Sequence, residues 1–287
     1  MALLPYTLIE PTGAASPLIV DSPHSGRIYP ADFEYACPLP LLRQAEDAYV
    51  DEVITGATQA GATIVMAEFP RSMIDVNRAE DDIDPAALDG VWPTALTPDA
   101  MTLSGFGLVR RLCRNGVSLY RKPLSVDEVK RRIETYYRPY HECLRMQIAQ
   151  RMRQFGACTL IDIHSMPDRV ENGIARPDFI LGDRDGTSCD PAFTRRAQQI
   201  LQDMGYRVTR NAPYKGREIV QRYGLQGPAG IGGAQALQIE MNRKLYLDEI
   251  AIEKNNGFDR LREDMTEFFK VLVASIAAEA ADRLAAE

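Results

Sequence analysis

Five short apolar runs punctuate the chain: Leu18-Ile19-Val20, residues 62–69 (ATIVMAEF), residues 159–163 (TLIDI), Phe179-Ile180-Leu181 and residues 236–241 (ALQIEM). Each is too short for a buried helix, and polar or turn-forming residues close several of them. Asp21-Ser22-Pro23 follows the first run and Gly182-Asp183 the fourth. Such runs read as buried strands. Helical patterns lie between them. Residues 41–60 follow two prolines and stop at Gly61, which predicts a first helix. Ser125-x-x-Glu128 is a capping box, opening a segment with Val126, Val129, Ile133 and Tyr137 near helical spacing. Pro139 is expected to kink or end that helix before it resumes through Leu144, Ile148 and Met152. Phe258, Leu261, Met265, Phe268 and Leu272 mark a closing amphipathic helix. Strands alternating with helices predict a layered α/β fold around a largely parallel or mixed sheet. In such sheets ligands sit at the carboxyl ends of the strands, so chemistry is sought there.

No repeat, low-complexity stretch or long linker divides the 287 residues, and they are read as a single domain, 1–287. No apolar stretch approaches the roughly 18–20 residues of a membrane helix. Met1-Ala2-Leu3-Leu4-Pro5-Tyr6-Thr7 lacks the basic start and apolar run of a signal peptide. The five cysteines (37, 113, 143, 158, 189) are scattered and form no Cys-x-x-Cys pair, so a disulfide framework or thiolate zinc site is not expected. A reducing, cytoplasmic setting fits that usage. A net charge of −7 disfavours non-specific nucleic-acid binding, which needs surplus Lys and Arg. An acidic chain that binds a small anion must do so with a few arginines focused in a pocket.

Only three histidines are present, and two, His24 and His164, fall immediately after predicted strands, each followed by a serine. Imidazole suits zinc, and a catalytic zinc takes three protein ligands and leaves one position open. Position 27 is Arg, so a His-x-x-Glu pair is absent. The nearest acids are Glu46-Asp47, placed by periodicity on the first helix near the Val50, Val53 and Ile54 stripe. Asp47 is taken as third ligand and Glu46 as its alternative; two solvated surface carboxylates are the competing reading. His141 lies inside the kinked helix, with a structural or supporting role expected. Glu240 closes an apolar strand, where a carboxylate is costly to bury unless it is paired or functional. Beside an activated water it would be a general base; the alternative is an ion pair with Arg243. Arg71, Asn77 and Arg78 flank a short apolar run and could clamp a carboxylate, with Asp75 orienting one arginine.

These motifs resemble the N-formylglutamate deformylases (N-formylglutamate amidohydrolases): residues 21–26 (DSPHSG), 75–78 (DVNR), 137–141 (YRPYH), 164–167 (HSMP), 181–187 (LGDRDGT), 211–216 (NAPYKG) and 238–243 (QIEMNR), in order between about residues 18 and 255. The resemblance implies a three-layer α/β/α fold related to zinc carboxypeptidases and aspartoacylases. It implies one Zn2+ per chain and release of formate and glutamate in histidine degradation. Residues 75–78 are similar to an Asp-Leu-Asn-Arg stretch of aspartoacylase that holds the substrate carboxylate, a role this assigns to Asn77 and Arg78. Glu240 matches the glutamate base of that wider group. The reading is therefore a zinc amidohydrolase acting on a small dicarboxylate: His24, Asp47 and His164 on the metal, Glu240 catalytic, and Arg71, Asn77 and Arg78 on substrate. A deacylase for another N-acyl acidic amino acid and a non-catalytic amino-acid-binding protein are the alternatives. Ser22 and Ser165 lie near histidines, but no Gly-x-Ser-x-Gly elbow supports a serine hydrolase.

Overall fold

The computed structural model describes residues 4–113, 116–171 and 174–286. Met1–Leu3, part of the segment read as unlike a signal peptide, lie outside that range. Seven strands build one mixed sheet: β1 (Tyr6–Ile9), β2 (Leu18–Ser22), β3 (Thr63–Ala67), β4 (Thr159–Met166), β5 (Phe179–Gly182), β6 (Val208–Arg210) and β7 (Gln235–Asn242), in spatial order β1-β3-β2-β4-β7-β5-β6. The four central strands β3, β2, β4 and β7 run parallel; β1 is antiparallel to β3, and β5, with β6 parallel to it, is antiparallel to β7.

Side chains alternate across a strand, and the core divides accordingly. Leu18, Val20, Ile161, Ile163, Leu237 and Ile239 pack on one face; Ile19, Val65, Leu160 and Ala236 pack on the other. The first face is covered by α1 (Val50–Val53), α4 (Pro191–Asp203) and α6 (Phe258–Ala286). The second is covered by α2 (Val126–Arg132), α3 (Arg138–Phe155) and α5 (Glu218–Tyr223). Three layers result because the central strands are buried on both faces. Among the described residues no helix is long and apolar enough to cross a membrane.

Three local expectations are corrected. The first predicted helix is not continuous: a short turn of helix at Leu39–Arg43 breaks, α1 follows, and a 3-10 segment Thr55–Ala60 runs to Gly61 at φ 79°. Asp47 lies in the irregular break, where its N–H donates to the His24 carbonyl (2.9 Å) instead of to a helical neighbour. Pro139 does not end its helix. A π-helical turn, Ile133–Tyr137, links α2 to α3 and leaves the proline in the first turn of α3, where no N–H is missed. The strand beginning at Thr159 runs to Met166, because β4 pairs with β7 over its whole length, so His164 lies within a strand and not after it.

Candidate metal and active site

The polar positions of the central strands share a face. Asp21 pairs in register with Asp162, Gln238 with Asp162 and Glu240 with His164. Two-residue alternation then puts all five on the side of the second core, at the carboxyl ends of the parallel strands. His24 comes from the loop after β2. Its path is fixed by Gly26, where an added Cβ would lie 2.2 Å from the Phe69 carbonyl oxygen, so only glycine lets the loop pass that backbone. Asp47 comes from the break before α1.

These elements bring His24, Asp47 and His164 together, all buried, with one donor atom from each within 4.8 Å of the others. His24 Nε2 faces Asp75 Oδ1 at 2.6 Å and His164 Nε2 faces Asp162 Oδ1 at 2.8 Å. A proton on His24 Nε2, donated to Asp75, leaves the His24 Nδ1 lone pair turned inward beside His164 Nδ1. His24 Nδ1 has no hydrogen-bond partner and lies 3.5 Å from Asp47 Oδ2; His164 Nδ1 lies 3.1 Å from the same oxygen. Two imidazole Nδ1 atoms and a carboxylate oxygen meet in a buried space, a donor set able to hold a cation. Two imidazoles plus one carboxylate, each imidazole backed by a second carboxylate, is a donor set that fits zinc. The residues present fit the ion that the sequence implied.

The electrostatics follow the contacts. Burial lowers the His24 pKa from its usual value, and Arg71 adds to the effect. Burial alone would lower His164, but Asp162 and Asp47 on its two nitrogens reverse this and raise it. Burial opposes ionisation of Asp47 and Asp75, yet imidazole contacts and Arg71 hold both well below the usual carboxylate range. Glu240 accepts a hydrogen bond from Gln238 Nε2 (2.9 Å), and burial pushes its pKa up to about 7. No ion pair joins Glu240 to Arg243 among the described residues. Arg243 instead donates to the Gln44 and Glu46 carbonyls (3.3 and 2.6 Å) and to Asp47 Oδ1 (3.1 Å), while Ser165 Oγ donates to that same oxygen (3.2 Å). Glu46 is turned away, bonded by Arg43 and the Tyr29 hydroxyl, so Asp47 alone of the two acids joins the cluster.

A cavity of about 810 Å³ opens over this cluster, lined by His24, Asp47, His164 and Glu240 and by Arg71, Asn77, Arg78 and Arg110 among others. A family model for N-formylglutamate amidohydrolase matches residues 16–247. The chain belongs to the N-formylglutamate amidohydrolase family. It is 31% identical to an N-formylglutamate deformylase of Pseudomonas putida over 81% of this chain and 82% of that protein, and 29% identical to a deformylase of Pseudomonas aeruginosa over 82% and 84%. A crystal structure of N-formylglutamate amidohydrolase from Ralstonia eutropha superposes with TM-score 0.91 at 40% identity, covering 96% of this chain and all of that one. A likeness to a gene product of Agrobacterium tumefaciens, 17% identical with TM-score 0.61 over 96% of each chain, extends to the fold alone.

Within this family member the sequence-derived residues take distinct positions. Arg71 donates twice to Asp75 Oδ2 (2.7 and 3.2 Å), so Asp75 orients that arginine and His24 at once. Arg78 is anchored by Asp82 Oδ2 (3.1 Å) and Asp99 Oδ2 (3.0 Å). Asn77 is committed internally: its Oδ1 accepts from Ile219 N–H (2.9 Å) and its Nδ2 donates to Asp162 Oδ2 (3.3 Å). His141 lies away from the cluster, accepting from the Tyr223 hydroxyl at Nδ1 (2.9 Å) and donating from Nε2 to the Val76 carbonyl (2.9 Å). Asp162 and Arg110 were not singled out in the sequence. Asp162 carried a signal, since it precedes His164 by two on one strand and must share its face. Arg110 carried none, because only tertiary folding brings it to the cavity.

Proposed function

We propose that this chain hydrolyses the formamide of N-formyl-L-glutamate to formate and L-glutamate, with Zn2+ held by His24, Asp47 and His164. One observation carries the reading: a buried two-imidazole, one-carboxylate cluster, whose His164 pairs in register with Glu240, lines a cavity rich in arginines. Bound there, zinc supplies Lewis acidity and a water acidic enough to lose a proton near neutral pH.

The chain's own residues account for the rest. Glu240 takes a proton from the attacking water at its carboxylate and delivers it to the departing amide nitrogen, a role favoured by burial that brings its pKa to about 7. Asp75 fixes the His24 imidazole in the tautomer that leaves Nδ1 free, and Asp162 backs the His164 ring. Arg71, held by Asp75, faces the negative charge that develops on the formyl oxygen. Arg78 takes the α-carboxylate, and Asn77 supports the site through Asp162. Anchoring the anionic end of a small substrate places an otherwise featureless formamide for attack. We place the protein in a reducing, cytoplasmic setting on the scattered spacing of its five cysteines.

Turnover of formyl-, acetyl- and carbamoyl-glutamate and of acetylaspartate, on zinc-loaded and chelator-stripped protein, tests this. Formylglutamate is expected to be cleaved fastest and only by metal-loaded protein. Preference for another acyl group assigns the chain to a different deacylase activity, and inertness towards all four makes it a binding protein.

A further inference from the structure

We propose that Arg110 receives the side-chain carboxylate of the substrate and is the residue that selects an acidic N-acyl amino acid over a neutral one. This rests on the reading that the cavity binds an N-acyl amino acid. It is carried by charge and contact around one guanidinium.

Three arginines share one wall of the cavity, and two of them are matched. Arg71 donates twice to Asp75, and Arg78 reaches Asp82 and Asp99. Arg110 has no hydrogen bond among the described residues. Its nearest carboxylate oxygen is Asp75 Oδ2 at 3.6 Å, beyond hydrogen-bond reach and already taken by Arg71. Its Nε is buried with no partner, and its side chain is only 13% exposed. The guanidinium sits 5.8 Å from the centre of the Phe106 ring, which also lines the cavity and limits where it can go. Burial, and then the neighbouring Arg71 charge, push its pKa down to about 9, as expected of a cation short of a counter-charge.

Of the other cations around the cavity, Arg169 is exposed to solvent and the rest are engaged. Arg217 pairs with Asp99 (2.5 Å), Lys215 with Asp185 (2.6 Å) and Arg243 with Asp47, while Arg184 donates to the Gly216 carbonyl (3.0 Å). A buried guanidinium with vacant donors is costly unless an anion completes it. A substrate with one carboxylate is served by Arg78. A second carboxylate needs a second cation, and Arg110 is the buried one whose guanidinium donates no hydrogen bond among the described residues, its 3.6 Å approach to Asp75 aside. The planar fork suits a carboxylate approached through two N–H groups.

The test compares turnover of N-formylglutamate with N-formylnorvaline, and binding of glutarate with butyrate by calorimetry, on zinc-loaded wild type and Arg110→Gln. Each pair differs by one carboxylate. Wild type is expected to favour the dianion in both, and Arg110→Gln to shrink both preferences roughly 10- to 100-fold, the range of a charge-assisted hydrogen bond. Norvaline turnover and butyrate binding should barely move, which also certifies the fold. An unchanged preference, an equal loss on both members of a pair, or a wild type indifferent between glutarate and butyrate overturns the proposal. If the glutamine variant does not fold, Arg110→Lys serves: it keeps the charge but loses the fork, so a smaller contraction is expected and none overturns the idea. A wild type inert on formylglutamate whose glutarate preference still collapses on substitution retains Arg110 as the carboxylate receptor and rejects the hydrolysis reading alone.

Discussion

Replacing Asp75 by Asn isolates the carboxylate that joins the metal cluster to the arginine wall. Asp75 Oδ1 meets His24 Nε2 at 2.6 Å and accepts the Asn77 N–H at 3.0 Å, while Oδ2 accepts two bonds from Arg71. Asparagine keeps the shape and removes the charge, leaving Arg71 and Arg110 facing each other across a neutral amide. Breaking a buried ion pair by deleting one partner costs about 3–5 kcal/mol. Arg71 is 21% exposed on its side chain, so the lower end applies. At about 2 °C per kcal/mol for a chain of this size, metal-free Asp75→Asn should melt about 6 °C below metal-free wild type. Zinc affinity should fall roughly 10- to 100-fold as well, since the amide no longer fixes the His24 tautomer. Differential scanning calorimetry of stripped protein gives the first number and chelator competition the second. Equal melting temperatures with equal zinc affinity would show that Asp75 neither orients His24 nor neutralises Arg71.

Glu240→Gln should lower kcat by about 10²–10⁴ while zinc content stays near one per chain, and an active variant removes Glu240 from proton transfer. Arg78→Ala should raise KM for formylglutamate roughly 10- to 100-fold with a smaller effect on kcat; an unchanged KM rejects its role as a clamp. His141 is buried neutral, and burial lowers its pKa to about 3 from an ordinary 6.5. Below pH 6.5 the unfolded chain takes up a proton that the folded one refuses, so this stabilisation is complete above 6.5 and drains away as pH falls towards 3. Between pH 7 and pH 5 wild type should lose about 2 kcal/mol more than His141→Gln, read from urea unfolding; parallel losses would refute the assignment.

The strands were readable because each buried run is short, apolar and bounded by polar or turn residues, and the alternating pattern gave the layers. His24 and His164 stood out because histidine is rare here and both fall near strand ends. Asp47 illustrates a limit. Periodicity put it on a helix, whereas the Arg243 guanidinium and the His24 carbonyl satisfy the local backbone and hold that segment irregular. A guanidinium arriving from 196 residues away leaves no trace in a local pattern. Arg110 was silent for the same reason, and Asn77 read as a substrate donor because sequence cannot reveal that the Ile219 N–H and Asp162 already occupy it.

The Arg243 contacts bear on how the proposed third ligand is aimed. Asp47 sits on a stretch with no ladder of its own, and part of its orientation is supplied by a side chain just beyond the last central strand. Without Arg243, Asp47 would keep the Ser165 hydroxyl and the His24 backbone contact but lose the guanidinium bonded to its Oδ1. If the cluster holds zinc as proposed, removing the Arg243 guanidinium should weaken metal retention while both imidazoles stay in place.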